Sequence, residues 1–507
     1  MIPLDDDEST IEPPHRGADA HGDATEVPVL LVAWLEGDPG LVGSVLFPSA
    51  EPSVFGRGAG AGDEARLMPM RQVPGTNLPL PPPTAPWMSR RQLRVQRLPD
   101  LPDGRGPGFR VMVENLGRSA LRVRGNALGS AAAGRDSAAQ AVVTPGDLIA
   151  VGESGLLLVT SRPRVLLSAS AWSEPLQPLG DPDALGMVGE SAAMWELRDR
   201  IAFTARQRGH VLVLGPSGSG KERVAQALHA LSANRARALV ARNAATIPTA
   251  LMDVELFGHA ASYPNPGMRE RAGLVGEADG STLFLDEIGE LPEEMQAHLL
   301  RLMDSGEYQR LGEARARKAD LRLVAATNRD PMELKADLRA RFRHVLRVPP
   351  LAERCEDLPL LLRHLLRAAA GEDPQLATSL FTAERDADGR PVEPRVDLDV
   401  VAAILRHPLP LQVRELESLL WHAIATTMRS ANRSRLHAPP ALTASLDATA
   451  PPTTTAPHEL GKDELQAALD RHEGRLERVW RDLGLKNRYV LRRLLEKHGL
   501  RGARDDD

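Results

Sequence analysis

One apolar run breaks into glycines and a lysine, and a second ends in two carboxylates. Together they constrain the fold more than any other feature of this 507-residue chain. Val211, Leu212, Val213 and Leu214 lead into Gly215, Pro216, Ser217, Gly218, Ser219, Gly220, Lys221 and Glu222. That order reads as a buried strand, a glycine loop and the first turn of a helix. Glycines let the backbone turn its N–H groups inward around phosphate oxygens, and the following helix adds its positive end. Lys221 places a point charge on the outer phosphates. Downstream, Ser281, Thr282, Leu283, Phe284 and Leu285 run into Asp286 and Glu287. From a strand end facing the loop, Asp286 can hold a magnesium ion and Glu287 can polarise an attacking water. A glycine loop alone is also a tight turn between strand and helix; the acidic strand following it points to ATP binding and hydrolysis.

Length predicts about three domains at ~100–200 residues each. A hydrophobic fraction of 42% supports real cores, although aromatic residues make up only 3%. The single cysteine, Cys355, excludes an intrachain disulfide framework and reads as a packing residue in a reducing compartment. No run of about eighteen apolar residues exists, and Asp5, Asp6, Asp7 and Glu8 are the reverse of a signal peptide. A soluble, cytoplasmic protein is expected. The net charge of −6 matters less than its distribution. Residues 1–26 carry eight acids against one arginine, which predicts a disordered acidic leader. Residues 475–501 carry nine Lys/Arg against three Asp/Glu, a basic end that points to nucleic acid.

Short apolar runs at 29–35, 43–47, 110–113, 121–124, 148–151 and 155–159 are broken by Gly and Pro, and predict an all-β sandwich over 27–165. A Pro-, Ser- and Asp-rich linker is expected at 166–186. Alternating strands and helices over 187–359 predict a parallel α/β core. Helical patterns, including 358–370 and 413–428, predict a helical region over 360–436. A second linker, 437–460, contains Pro451, Pro452 and Pro457 and is expected to be extended. Three short helices at 463–472, 476–483 and 488–498 predict an all-α domain over 461–502.

The generic phosphate loop ends in Gly-Lys-Ser or Gly-Lys-Thr, whose hydroxyl touches magnesium; here Glu222 stands in that place. This ending occurs with Glu255-Leu256-Phe257-Gly258-His259, with Leu283 to Pro292 around Asp286 and Glu287, and with Ala326-Thr327-Asn328. Pro349-Pro350-Leu351-Ala352-Glu353-Arg354, Glu356-Asp357-Leu358-Pro359 and Val413-Arg414-Glu415-Leu416 follow. The set resembles the AAA+ ATPases that activate transcription by RNA polymerase carrying sigma-54, the bacterial enhancer-binding proteins, over about residues 187–429. The resemblance implies an AAA+ P-loop core with a helical lid, ATP and Mg2+ as ligands, ring assembly as a hexamer, upstream double-stranded DNA and sigma-54 polymerase as partners. It implies Arg341 as the arginine finger reaching a neighbour's site, with Lys335 at the first finger position; lysine keeps the charge but loses the planar fork. Thr327 and Asn328 resemble the sensor of the outer phosphate, Arg414 the lid arginine, and Asn243 the residue that relays nucleotide state by pairing with Glu287. At the loop that probes sigma-54, residues 262–267 put Pro264 and Asn265 where the family has phenylalanine and threonine. Two prolines fix backbone angles there. Either Tyr263 takes over the aromatic role or the loop no longer engages sigma-54.

Phe55-Gly56-Arg57, Ser89-Arg90-Arg91-Gln92, Asn115-Leu116-Gly117 and Pro145-Gly146-Asp147 are similar in order to a forkhead-associated (FHA) domain, a phosphothreonine reader. Arg57 and Ser89 would grip a phosphate by charge-assisted bonds; Gln92 replaces the family's histidine, and Ser119 falls at its loop asparagine. The carboxy-terminal helices resemble a Fis-type helix-turn-helix, with Lys486, Asn487, Arg488, Tyr489, Arg492 and Arg493 facing DNA; a basic helical hairpin is the other reading. Three functions follow: a DNA-binding, ATP-hydrolysing regulator of sigma-54 polymerase with phosphopeptide sensing, a relative that has lost sigma-54, or a nucleotide-gated phosphopeptide scaffold with little hydrolysis.

Overall fold

In the computed structural model the described residues are 25–58, 64–99, 109–129, 140–168, 171–386, 389, 391–430, 433–439, 442, 465, 466, 469, 471, 479 and 495. The chain divides into two compact units, Met1–Ala448 and Thr449–Asp507.

The strand Glu26–Leu35 explains the architecture of the amino-terminal third. Its sequence is apolar without alternation, and every residue from Val27 to Leu35 is buried. A strand in an antiparallel sheet alternates only when one face meets water, so this pattern demands cover on both faces. Leu30 and Val32 point into a core shared with a second sheet, alongside Phe55, Leu93, Val111 and Val113. Val29, Leu31 and Ala33 point the other way, into a core shared with Leu358, Leu362, Val401 and Ile404 of the helical region. Its neighbour Gly155–Pro163 behaves alike, with Leu157 and Val159 inward and Leu156 and Leu158 outward. The predicted sandwich is therefore present as two facing antiparallel-rich sheets, but one of them has a third layer packed on its outer side. Sequence reading missed several short strands, among them Met70–Val73, Thr76–Pro79 and Leu93–Leu98.

The expected linker at 166–186 is packed against the protein over residues 171–186. Ala171 and Trp172 donate their N–H groups to Asp199 Oδ1, Leu179 is buried, and Arg363 donates to the Leu179 carbonyl. Asp181 and Asp183, which read as solvated chain, accept from Arg367 and Arg198 of neighbouring helices.

The α/β core is a five-stranded parallel sheet ordered Val240–Asn243, Thr282–Asp286, Arg322–Thr327, His210–Leu214, Phe342–Arg347. The glycine-loop strand His210–Leu214 is thus flanked by two strands that come late in the chain, the kind of crossing at which open parallel sheets bind ligands beyond their carboxyl ends. The helices Ala192–Ala205 and Lys221–Ala230 contribute to a core against one face, and Glu293–Ser305 to a core with the other. The lid comprises Leu358–Glu372, Pro374–Leu380, Leu398–Arg406 and Gln412–Arg429. The two predicted lid helices are both present. In the second unit, residues 465, 466, 469, 471, 479 and 495 are helical, with Leu465, Leu469, Val479 and Leu495 buried. Lys486, Asn487, Arg488, Tyr489, Arg492 and Arg493 lie outside the described residues, as does nearly all of the acidic leader.

Candidate nucleotide-binding site

Backbone conformations that only glycine adopts easily build the centre of the site. Gly218 and Gly220 have φ of 78° and 104°, a region closed to most side chains. A Cβ on Gly218 would lie 2.5 Å from the Leu411 carbonyl oxygen, so the loop has been drawn tight against the lid. The Val413 N–H donates to the Gly218 carbonyl at 3.3 Å, and Arg414 Nη1 donates to Ser217 Oγ at 3.1 Å. The predicted lid arginine therefore meets the loop directly.

Lys221 opens its helix and is buried. Its Nζ donates to the Gly215 and Pro216 carbonyls at 3.0 and 3.3 Å and stands 3.5 Å from Glu287 Oε1. Ser219 is 4% exposed and its buried Oγ has no hydrogen-bond partner. An orphaned hydroxyl beside inward-turned glycine backbone is what a phosphate-binding cradle presents, so these residues fit a nucleoside triphosphate. Glu222, on the solvent side of the first turn, accepts from Gln226 Nε2.

The acidic pair sits opposite. Thr282–Asp286 ends at the carboxyl edge of the sheet, where Asp286 Oδ1 accepts from the Glu287 N–H. Glu287 has φ of 53° and ψ of 50°, a left-handed conformation that costs a non-glycine residue of order 1 kcal/mol. That turn brings its Oε2 to the Asn328 N–H at 3.2 Å. The predicted sensor and the predicted base thus touch, while Thr327 is 1% exposed, accepts the Gly215 N–H on its carbonyl and holds the Arg329 N–H on Oγ1. Loop, acidic pair and lid line an open cleft of about 430 Å3 whose lining includes Met187, Val188, Lys221, Asp286, Glu287, Arg354, His364 and Arg414. Burial lowers the pKa of His364 and, near the loop, that of Arg354. Among the described residues no cluster of His, Cys, Asp and Glu could by itself hold a metal ion; Asp286 would share one with phosphate oxygens.

Other expectations divide. Asn243 is adjacent to Asp286 in strand register, but its Oδ1 accepts from the Ala245 N–H and caps a turn, and no bond to Glu287 is present among the described residues. Local geometry wins because a short asparagine reaches its own backbone two residues on with little ordering cost. Arg341 ends the short helix Ala336–Ala340 with its Nε paired to Asp304, both side chains nearly half exposed, and Lys335 Nζ pairs with Glu293 at 3.1 Å. Both cations lie outside the lining of this chain's own cleft.

Sequence reading did not single out Arg354 as a cleft residue. It is 4% exposed, donates Nη2 to the Ser219 carbonyl at 3.3 Å, and leaves its Nε without a partner. The signal was legible: an arginine in an otherwise acidic turn, Glu353 to Asp357, just before a buried helix.

At the end of the sandwich, Arg57, Ser89 and Ser119 are held on adjoining loops. The Arg57 N–H donates to the Ser89 carbonyl, Ser89 Oγ accepts from the Arg118 N–H, and Gln92 Nε2 donates to the Ser119 carbonyl. Gln92 Oε1 also accepts the Ser89 N–H, and a Cβ on Gly117 would strike this amide at 2.3 Å. Gln92, fully buried, ties the loops together. The Arg57 guanidinium has no partner among the described residues.

The segment 262–267 forms a closed turn, with the Ser262 N–H on the Met268 carbonyl and the Met268 N–H on the Asn265 carbonyl. Tyr263 packs against Gly312, where a Cβ would come within 2.6 Å of its ring. The Ala260 N–H and the Leu311 N–H exchange bonds with the Leu311 and Gly258 carbonyls, so the two loops are joined.

A profile of the sigma-54 interaction domain matches residues 187–350. The transcriptional regulatory protein ZraR of Klebsiella oxytoca is 36% identical over 325 residues, covering 61% of this chain and 68% of that protein. The DNA-binding transcriptional regulator NtrC of Bradyrhizobium sp. (strain RP501 Parasponia) is 37% identical over 268 residues, 50% of this chain and 52% of that protein. Among solved structures, NtrX from Brucella abortus in complex with ATP aligns with a TM-score of 0.44 and 28% identity over 62% of this chain and 69% of that one.

Proposed function

The chain belongs to the sigma-54-interacting AAA+ transcriptional regulators, and from that premise we propose that it hydrolyses ATP to remodel sigma-54 RNA polymerase at DNA sites bound by its carboxy-terminal segment. The observation that carries the reading is the glycine cradle, with its orphaned Ser219 hydroxyl, facing Asp286 and Glu287 beneath a lid that already touches the loop through Arg414. Lys221 would move from loop carbonyls to the outer phosphates. Glu287 would orient water for in-line attack on the γ-phosphorus, while Thr327 and Asn328 report phosphate loss to the Glu287 carboxylate. Bound Mg2+, held by Asp286, would neutralise charge on the phosphates. Arg341, outside its own cleft and paired with Asp304 at the solvent-exposed surface, suits a role in a neighbour's site within a ring.

The gathering of Arg57, Ser89 and Ser119 supports phosphothreonine recognition by the sandwich, with the Arg57 guanidinium, which has no partner among the described residues, as phosphate ligand. A second reading, a regulator that has left sigma-54 for another partner, is favoured by one observation: Tyr263 is spent on Gly312 and the tip carries Pro264 and Pro266.

Open-complex formation by purified sigma-54 polymerase on a supercoiled promoter bearing the protein's own site decides between them. ATP-dependent melting that disappears with Glu287→Gln is the expected result. Hydrolysis without melting would reject the sigma-54 role and leave the second reading.

A further inference from the structure

The sandwich sheet that the third layer covers carries charged groups that pair with residues beside the cleft. Arg162, on the strand Gly155–Pro163, has a side chain 3% exposed and donates Nε to Glu356 Oε2 at 2.8 Å, while Gln72 Oε1 holds its Nη1 at 3.1 Å. Arg71, on Met70–Val73, donates Nη2 to Glu190 Oε1 at 2.6 Å and Nη1 to the Gln177 carbonyl at 2.6 Å. The two carboxylates, Glu356 and Glu190, belong to the ATPase polypeptide, and both flank one clasp. The fully buried Asp357 accepts the N–H groups of Glu190 and Ser191 on Oδ1 at 2.7 and 2.9 Å, and the Ser191 hydroxyl on Oδ2 at 2.6 Å. Gly189 is required there, since a Cβ would lie 2.6 Å from Asp357 Oδ2.

The clasp borders the cleft on both sides. Met187 and Val188, just before it in the chain, line the cleft, and so does Arg354, which reaches the Ser219 carbonyl. Burial raises the pKa of Glu190 and of Glu356, each opposed by its sandwich arginine. An unpaired buried carboxylate would protonate or draw in water, and either change would loosen the turn it belongs to.

We propose that Arg71 and Arg162 of the amino-terminal sandwich are positioning residues of the nucleotide site, fixing the Asp357 clasp that sets Met187, Val188 and Arg354 around a bound nucleoside triphosphate. The proposal rests on the reading of the cleft as an ATP site. It makes the sandwich part of the ATPase, so that whatever occupies the sandwich has a direct route to nucleotide affinity. A third ion pair in the same interface supplies the control: Arg435 bridges Glu36 and Asp397 without lining the cleft.

The test uses the full chain, with calorimetric ATP binding, steady-state turnover and the rise in melting temperature caused by ATP. For Arg71→Met and Arg162→Met the expected result is a roughly five- to tenfold weaker Kd for ATP, the size of coupling between contacting groups. KM should rise more than kcat falls, and the ATP-induced melting shift should shrink. Arg71→Lys and Arg162→Lys should recover part of the affinity. Arg435→Met should lower the melting temperature without ATP and leave the Kd unchanged. An unchanged Kd in both Met variants, with only the melting temperature lowered, would overturn the proposal and make the interface purely structural. If a Met variant fails to fold, its Lys counterpart is decisive: a smaller rise in Kd supports the proposal and none overturns it. A parent chain that bound no ATP would instead reject the nucleotide reading on which the proposal stands.

Discussion

Glu287 occupies a backbone conformation that its side chain disfavours, and it does so where Asp286, Lys221 and Asn328 converge. Strain at a site that neighbours over-determine marks a position held for chemistry. Glu287→Gln keeps the shape and removes the charge, so ATP turnover should vanish while ATP still binds at near-parental affinity, as calorimetry would read. Arg341 poses a different problem, because its exposed pair with Asp304 contributes little. If it serves a neighbouring subunit, Arg341→Ala should cut turnover on the order of 10³-fold while ATP binding to the isolated chain stays intact. An equal loss of binding would place the side chain in its own site instead. The loop, the acidic pair and the lid arginine that sequence reading singled out line one cleft, and Asn328 meets Glu287 beside it; spacing along the chain is what made each of them legible. For Asn243 the family register favoured the relay role over the turn cap that a lone asparagine more often forms, and the structure shows the cap, through a backbone bond two residues away.

At the scale of elements, the strand Glu26–Leu35 carries the lesson. An alternating strand in a two-layer sandwich would show one wet face, and this one shows none. Leu30 and Leu31 therefore face different cores, both with no exposure. Leu30→Ala and Leu31→Ala should each destabilise the protein by about 2–5 kcal/mol in urea unfolding, the range for a buried leucine truncated to alanine. A near-neutral Leu31→Ala would mean that the lid does not cover that face. The unbroken apolar run was visible from the start. What it could not reveal was which distant helices supply the cover, since period-two and continuous patterns specify burial and not partners.

For the whole of the first unit, the shared core predicts that sandwich and ATPase do not separate cleanly. A chain beginning at residue 187 would expose the lid surface that Val29, Leu31, Leu156 and Leu158 now cover, a contiguous apolar patch that favours association. Light scattering should show it aggregating where the full chain does not. Acid sensitivity follows from the histidines. Burial depresses the pKa of His210, His229, His344 and His364. Below their ordinary value near 6.5 the unfolded chain binds more protons than the native one, so these groups lower stability as pH falls through that value and cost nothing above it. The stability lost between pH 7 and pH 5.5 should be smaller in His364→Gln than in the parent, compared by urea unfolding at each pH. Among the described residues no helix is long and apolar enough to cross a membrane. By itself the sequence determined the phosphate loop, the acidic strand end and the family, because these reside in local backbone chemistry and fixed spacing. Only the tertiary structure decided that the linker is packed, that Arg354 enters the cleft, and that Arg71 and Arg162 reach Glu190 and Glu356 across 119 and 194 residues of chain. Such pairings are selected by which surfaces bury one another, and no periodicity within either partner encodes them.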